Sequence, residues 1–194
     1  MKEWKQILKN VYHFIFHDDS ALSWIVNIVL AFVLVKFVIY PGLALLLGSS
    51  LPLVAVISGS MEHEGLDFDA WWDVNGAWYE EQGISKEIFL EYRFKNGFNK
   101  GDVMVLVGAD EVTQGDVLVY SSGTHHYRII HRVTYINEEE HSYIIKGDNN
   151  DGADPFAVSE EQVLGKALYR IPKIGWIKIL FTELLQGFLG IFGF

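Results

Sequence analysis

The sequence predicts a mainly β protein, in which an antiparallel β domain with a small mixed insert is carried on an N-terminal transmembrane helix. Three observations predict it. Ala21 to Tyr40 is a 20-residue apolar run broken only by Ser23, Asn27 and Lys36. Short runs rich in β-branched residues follow, bounded by Gly, Asp and Asn, with no repeated helix between them. The 194 residues are 50% hydrophobic and 14% aromatic with only 18 Gly and 4 Pro, which argues against disorder and for one compact domain. Charge and cysteine content narrow the chemistry further. A net charge of −10 repels phosphate backbones and argues against a nucleic-acid partner. The absence of cysteine excludes disulfides, thiolate metal sites and a Cys nucleophile.

Residues 1–20 read as a leader. Trp4, Ile7, Leu8, Val11, Phe14 and Ile15 recur at helical spacing while Lys2, Lys5 and Lys9 take other positions, the pattern of an amphipathic helix lying along the inner membrane surface. Asp18-Asp19-Ser20 caps the helix that follows. Residues 21–47 read as an uncleaved signal anchor. At ~1.5 Å per residue the apolar run matches a bilayer core, and it is longer than the roughly 7–15 apolar residues of a cleaved signal peptide. Lys36 snorkels at the far end, where Pro41-Gly42 ends or kinks the helix. Lys2, Lys5 and Lys9 precede the span, whereas from Tyr40 onward the next Lys or Arg is Lys86, so the N-terminus is expected in the cytoplasm.

Residues 48–176 are then expected to form the extracytoplasmic β domain. Its strand candidates are Pro52 to Ile57, Val103 to Val107, Val117 to Tyr120, Tyr127 to Tyr135, Ser142 to Lys146 and Leu164 to Ile171. An aromatic and acidic insert at 64–99 interrupts them, with a short helix over Ser85 to Tyr92 capped by Ser85 and a small satellite core of rings. Glu138-Glu139-Glu140 reads as a hairpin connection, and His125-His126 as a solvated loop, because adjacent strand histidines face opposite ways. The apolar tail at 177–194 carries Lys178, Thr182, Gln186 and Gly190 on one helical face, which fits a helix lying in the outer interface. A second span is the alternative.

Three short motifs carry the chemistry. Ser58-Gly59-Ser60-Met61 ends an apolar strand, His131 interrupts the apolar strand Ile129 to Val133, and Lys146-Gly147-Asp148-Asn149-Asn150 leads to Asp154. Taken singly they read as a turn, a hydrogen-bonded histidine and a solvated or loosely ion-binding loop. In this order, together with Gly115-Asp116-Val117-Leu118-Val119-Tyr120, they resemble type I signal peptidases of the archaeal and endoplasmic-reticulum branch, in which histidine stands where bacterial enzymes carry lysine. The resemblance covers the span and most of the chain from Pro52 to Trp176. It implies Ser60 as nucleophile, His131 as general base, Asp154 as third member and Asp148 as an acidic residue needed nearby. It also implies removal of signal peptides at the outer face of the membrane, without metal or organic cofactor.

Elementary chemistry fits those roles. A serine hydroxyl is a poor nucleophile until a base accepts its proton, and an imidazole with an ordinary pKa of ~6.5 does so near neutrality. A carboxylate at the other ring nitrogen fixes the tautomer. The Ser60 backbone N–H is a candidate donor to the developing oxyanion, and Ser58 matches the position whose hydroxyl assists in bacterial relatives. Val56 and Ile130 are candidates for the walls of pockets admitting small side chains at −1 and −3, and equally for ordinary strand core. Two departures from the family pattern stand out: His63 where proline is usual, and the length of the 64–99 insert.

The expected partners are the membrane and signal-peptide-bearing precursors, with accessory membrane subunits left open. The alternatives are a catalytically silent tethered β domain that binds extracytoplasmic proteins, and a protease for other membrane-proximal precursors.

Overall fold

A computed structural model describes residues 2–122 and 128–191, with side chains described from residue 3 through residue 184 within those ranges. The chain divides into two compact units at Leu46/Leu47.

The first unit is helical. After α1 (Lys2–His17) and a break at residues 18–20, α2 (Ala21–Leu34), a π-helical turn (Val35–Ile39) and α3 (Tyr40–Leu47) run on without interruption. Ser20 caps α2, its hydroxyl accepting the Ser23 N–H at 3.2 Å. The polar interruptions of the apolar run serve the preceding helix: Ser23 Oγ donates to Phe14 O at 2.6 Å and Asn27 Nδ2 to Ile15 O at 2.8 Å. Both carbonyls lie in the last turn of α1, where they have no helical partner. Of the two expectations for Pro41-Gly42, an end or a kink, the helix does not end there. Pro41 has no N–H to give to Phe37 O, and the turn before it widens so that Tyr40 N–H reaches Val35 O. The helix ends six residues later at Gly48, whose φ of +61° needs no Cβ. Ala21–Leu47 is long and apolar enough to cross a membrane, by length and composition.

The second unit is built on a seven-stranded antiparallel sheet, as the β reading expects, in the order β1-β2-β7-β3-β4-β5-β6. The strands are β1 (Leu53–Ala55), β2 (Val103–Val107), β3 (Val117–Ser121), β4 (Arg128–Asn137), β5 (Ser142–Lys146), β6 (Val158–Ser159) and β7 (Val163–Ile171). β1 is shorter than Pro52 to Ile57, because beyond Ala55 the chain pairs with a loop: Val56 N–H reaches Asp102 O at 2.8 Å and Gly101 N–H reaches Val56 O at 2.9 Å. β4 extends to Asn137, and the acidic run Glu138 to Glu140 forms its turn into β5. Tyr127 and His125-His126 lie outside the described residues.

The insert contains more helix than expected. α4 (Phe68–Glu81), capped by Asp67, precedes α5 (Lys86–Leu90), capped by Ser85. Phe68, Trp71, Trp72 and Tyr79 stand at helical spacing behind that cap, and this was the signal for α4. With Ile84 and Phe89 they bury a satellite core, while the main core gathers Leu118, Tyr120, Val133, Tyr143, Ile145 and Val158. The tail forms α6 (Trp176–Ile191), on which Ile177, Leu180, Phe181 and Leu184 are exposed.

Candidate functional site

Ser60 follows β1 in a tight turn closed by Glu62 N–H to Gly59 O at 3.0 Å. The Lys146 to Asn150 segment locks this turn from the other side. Asn149 N–H donates to Ser60 O at 2.8 Å, and Asn149 Nδ2 donates to Gly59 O at 3.3 Å. Gly147 passes so close that a Cβ there would lie 2.8 Å from Ser60 O, a contact only glycine allows. Met61 is fully buried beneath the turn and its Sδ accepts the Asp148 N–H at 3.4 Å.

β4 presents His131 to this turn. His131 Nε2 lies 3.0 Å from Ser60 Oγ and His131 Nδ1 lies 2.7 Å from Asp154 Oδ2. Tyr120 on β3 donates to the same Asp154 oxygen at 2.6 Å. An ionised carboxylate has no hydrogen to donate, so facing Asp154 Nδ1 carries the hydrogen and Nε2 is left to accept the Ser60 hydroxyl. Ser58 Oγ stands 3.2 Å from Ser60 Oγ. Sequence reasoning did not single out Tyr120, which sits inside a quoted motif but carries no spacing signal of its own.

Asp148 is not in that series. Neighbouring residues on a strand face opposite ways, so Arg132, next to His131, points into the scaffold, where Asp148 meets it. Arg132 Nε and Nη2 hold the two carboxylate oxygens at 2.9 and 2.6 Å, and the remaining N–H groups reach Arg93 O, Gly115 O and Phe94 O. Tyr79 of α4 adds a hydrogen bond to Asp148 Oδ1 at 3.0 Å. Burial opposes the Asp148 charge, but the Arg132 guanidinium outweighs it and holds the carboxyl well below the usual range. His63, at the position where proline is usual, stacks on Trp71 with ring centroids 3.9 Å apart, its Nε2 3.5 Å from Asp148 Oδ2.

Lys146 is the other basic group in these motifs. Its Nζ donates to Gly147 O at 3.0 Å and faces the Trp78 and Tyr79 rings at 5.3 and 4.9 Å. Burial pushes it down to about 8. Ser60 Oγ pairs instead with His131.

A groove of about 390 Å³ opens on Ser60, lined by Val54 to Ser58 on one side and by Arg128 to His131 on the other. Val56 and Ile130 both line it, and both are buried. Among the described residues no group of three or more His, Asp or Glu is placed to hold a metal ion.

A hydroxyl, an imidazole and a carboxylate in series, at the mouth of an apolar groove on an antiparallel sheet, have the arrangement of nucleophilic hydrolases. No family model matches the chain. It is similar to the signal peptidase complex catalytic subunit SEC11 of Komagataella phaffii, 29% identical over 173 residues that cover 81% of this chain and 82% of that one. It is similar also to SEC11 of Lachancea thermotolerans, 27% identical over 170 residues (81% and 82%), and to SEC11C of Homo sapiens, 26% identical over 157 residues (75% and 65%). The resemblance read from the motifs thus extends across most of the chain, to relatives of the signal peptidase type.

Proposed function

We propose that this chain is a membrane-anchored serine endopeptidase that cleaves signal peptides from secreted and membrane protein precursors at the outer face of the membrane. The observation that carries the reading is the unbroken series from Ser60 Oγ through His131 to Asp154, at 3.0 and 2.7 Å. The names of the similar proteins support the substrate class, and their membership of a complex supports accessory membrane subunits for this chain also.

Ser60 Oγ attacks the scissile carbonyl as its proton passes to His131 Nε2, and the imidazolium so formed is stabilised by Asp154. Negative charge on the former carbonyl oxygen is met by the Ser60 N–H and the Ser58 hydroxyl. Collapse of the tetrahedral intermediate breaks the C–N bond as His131 returns the proton to the leaving amine. Water, activated by the same imidazole, then releases the acyl group. An extended peptide in the groove turns alternate side chains toward the same wall, so Val56 and Ile130 limit −1 and −3 to small residues and leave −2 free.

Ala21–Leu47 anchors the chain, with the lysines of α1 on the cytoplasmic side and the sheet outside. The exposed apolar side chains of α6 suit the outer interface.

The test is cleavage of a precursor in liposomes. Ser60→Ala and His131→Ala are each expected to lower kcat by at least ~10³-fold, with the double variant no worse than either, because nucleophile and base act as a unit. Near-normal turnover by either single variant refutes the assignment.

A further inference from the structure

The series of Ser60, His131 and Asp154 does not end at the carboxylate. Asp154 Oδ2 accepts two hydrogen bonds, from His131 Nδ1 at 2.7 Å and from Tyr120 Oη at 2.6 Å. The two donors stand on paired strands of the sheet and the acceptor does not. Tyr120 stands on β3, a central strand paired with both β4 and β7, and its ring is only 4% exposed in the main core. Asp154 stands in the irregular stretch between β5 and β6, tied to the sheet by its backbone N–H to Ile145 O at 2.8 Å. That backbone tie leaves the carboxylate free to turn about its side-chain torsions. The phenol, fixed by its core packing, removes that freedom.

Resting on the reading of Ser60 as nucleophile and His131 as base, the geometry points to Tyr120 as a positioning residue that clamps Asp154 against His131 and draws part of the carboxylate's charge away from the ring. A 2.6 Å O–H···O⁻ contact is in the range of strong charge-assisted hydrogen bonds, and an oxygen that shares its charge with a phenol offers less of it to an imidazolium. Burial first, and then the hydrogen bond to Asp154, push the Tyr120 phenol far above its usual range, so it stays a donor at working pH.

Among the described residues, three other charged groups lie near His131 and Asp154. Lys146 on β5 interacts electrostatically with Asp154, Arg132 on β4 is committed to Asp148, and Arg128 on β4 lines the groove. None of these is altered by Tyr120→Phe, which removes one oxygen and keeps the ring that the core packs against.

Two consequences separate a clamp from a simple core tyrosine. Without the phenol the carboxylate turns more freely, and its undivided charge favours a protonated ring. The experiment compares wild type, Tyr120→Phe, Asp154→Asn and the double variant as full chains in detergent micelles, with Ser60→Ala as control. Tyr120→Phe is expected to lower kcat roughly 10-fold, the scale of one lost hydrogen bond to a charged group, with KM little changed. The acid limb of its kcat/KM profile moves to higher pH, and the substitution has no further effect in the Asp154→Asn background. An unmoved acid limb, or an equal loss in that background, overturns the proposal. Turnover surviving in Ser60→Ala overturns the serine reading instead. NMR titration of the His131 ring, assigned against His131→Gln, needs no turnover and then decides alone: a midpoint at higher pH in Tyr120→Phe upholds the clamp, and an unchanged one refutes it.

Discussion

Replacing Asp148 by Asn separates the two aspartates of the loop after β5 by what each loses. Asp148 and Arg132 are both fully buried, and the guanidinium spends all five N–H groups on the carboxylate and three backbone carbonyls. Asparagine keeps the shape but cancels one charge, leaving the guanidinium uncompensated in the interior, and its amide hydrogens oppose an Arg132 N–H. Breaking one side of a buried pair costs about 3–5 kcal/mol, a large share of the roughly 5–15 kcal/mol that holds a domain folded. Tyr79 and the Asn149 contacts to the Ser60 turn loosen with it, so activity falls together with stability. The linkage has a definite sign. Because the folded-state pKa of Asp148 is held below its unfolded value of ~3.9, this stabilisation is full above that value and is lost as pH falls below it toward the folded pKa. The assay is urea unfolding of the full chain in detergent, read by tryptophan fluorescence, since Trp71 and Trp72 are buried in the satellite core with Tyr79, which bonds Asp148. A shift under about 1 kcal/mol, the worth of an exposed pair, or an acid-stability slope unchanged from wild type, refutes the reasoning.

Asp154→Asn should behave in the opposite way: near-wild-type urea stability, with turnover lower by on the order of 10²–10⁴-fold through the histidine tautomer, measured on the same precursor. Lys146 is pushed down to about 8, below its unfolded value of ~10.4, so its buried charge weakens the fold at neutral pH and that penalty is relieved as pH rises through 8. Urea midpoints from pH 7 to 9.5 should therefore rise in wild type relative to Lys146→Met; parallel curves would refute this. Changing Ala to Leu at −1 or −3 of a precursor should cost about 1–3 kcal/mol, roughly 5- to 150-fold in kcat/KM, while −2 tolerates the change. Equal losses at −2 and −3 would show that Val56 and Ile130 do not form the wall.

The strands easiest to read were those whose alternation is closed by a turn residue at both ends. Val103 to Val107 and Ser142 to Lys146 fall where their patterns place them, between Asp102 and Gly108 and between the acidic turn and Gly147. Local chemistry also located Ser20 and Ser85 as caps. The features missed depend on partners distant in sequence or on competition between local preferences. Pro41-Gly42 read as a stop or a kink, and the helix runs on because a widened turn absorbs the missing N–H and apolar residues continue on both sides. α4 was obscured by Gly76 and by acidic residues, and its 3–4 ring spacing behind Asp67 is the one local signal that marks it. The role of Arg132 is set by carbonyls 17 to 39 residues away, which no window of sequence contains.

The same separation explains how one short loop supplies two aspartates with different work. Asp148 and Asp154 are six residues apart and chemically identical, yet the fold gives one a buried guanidinium and the other an imidazole at the mouth of a groove. β4 makes the division, because His131 and Arg132 are neighbours on a strand and must face opposite ways. The first faces Ser60, and the second faces the scaffold that holds Asn149 against the Ser60 turn. A substitution on the scaffold side therefore has two routes to the chemistry: through stability, and through the placement of the Ser60 backbone. A substitution on the groove side acts instead through the hydrogen-bond series or through the wall that Val56 and Ile130 offer the substrate. The insert joins the scaffold side alone, with Tyr79 on Asp148 and His63 stacked on Trp71. Its rings brace the loop that positions the serine, and none of them enters the groove.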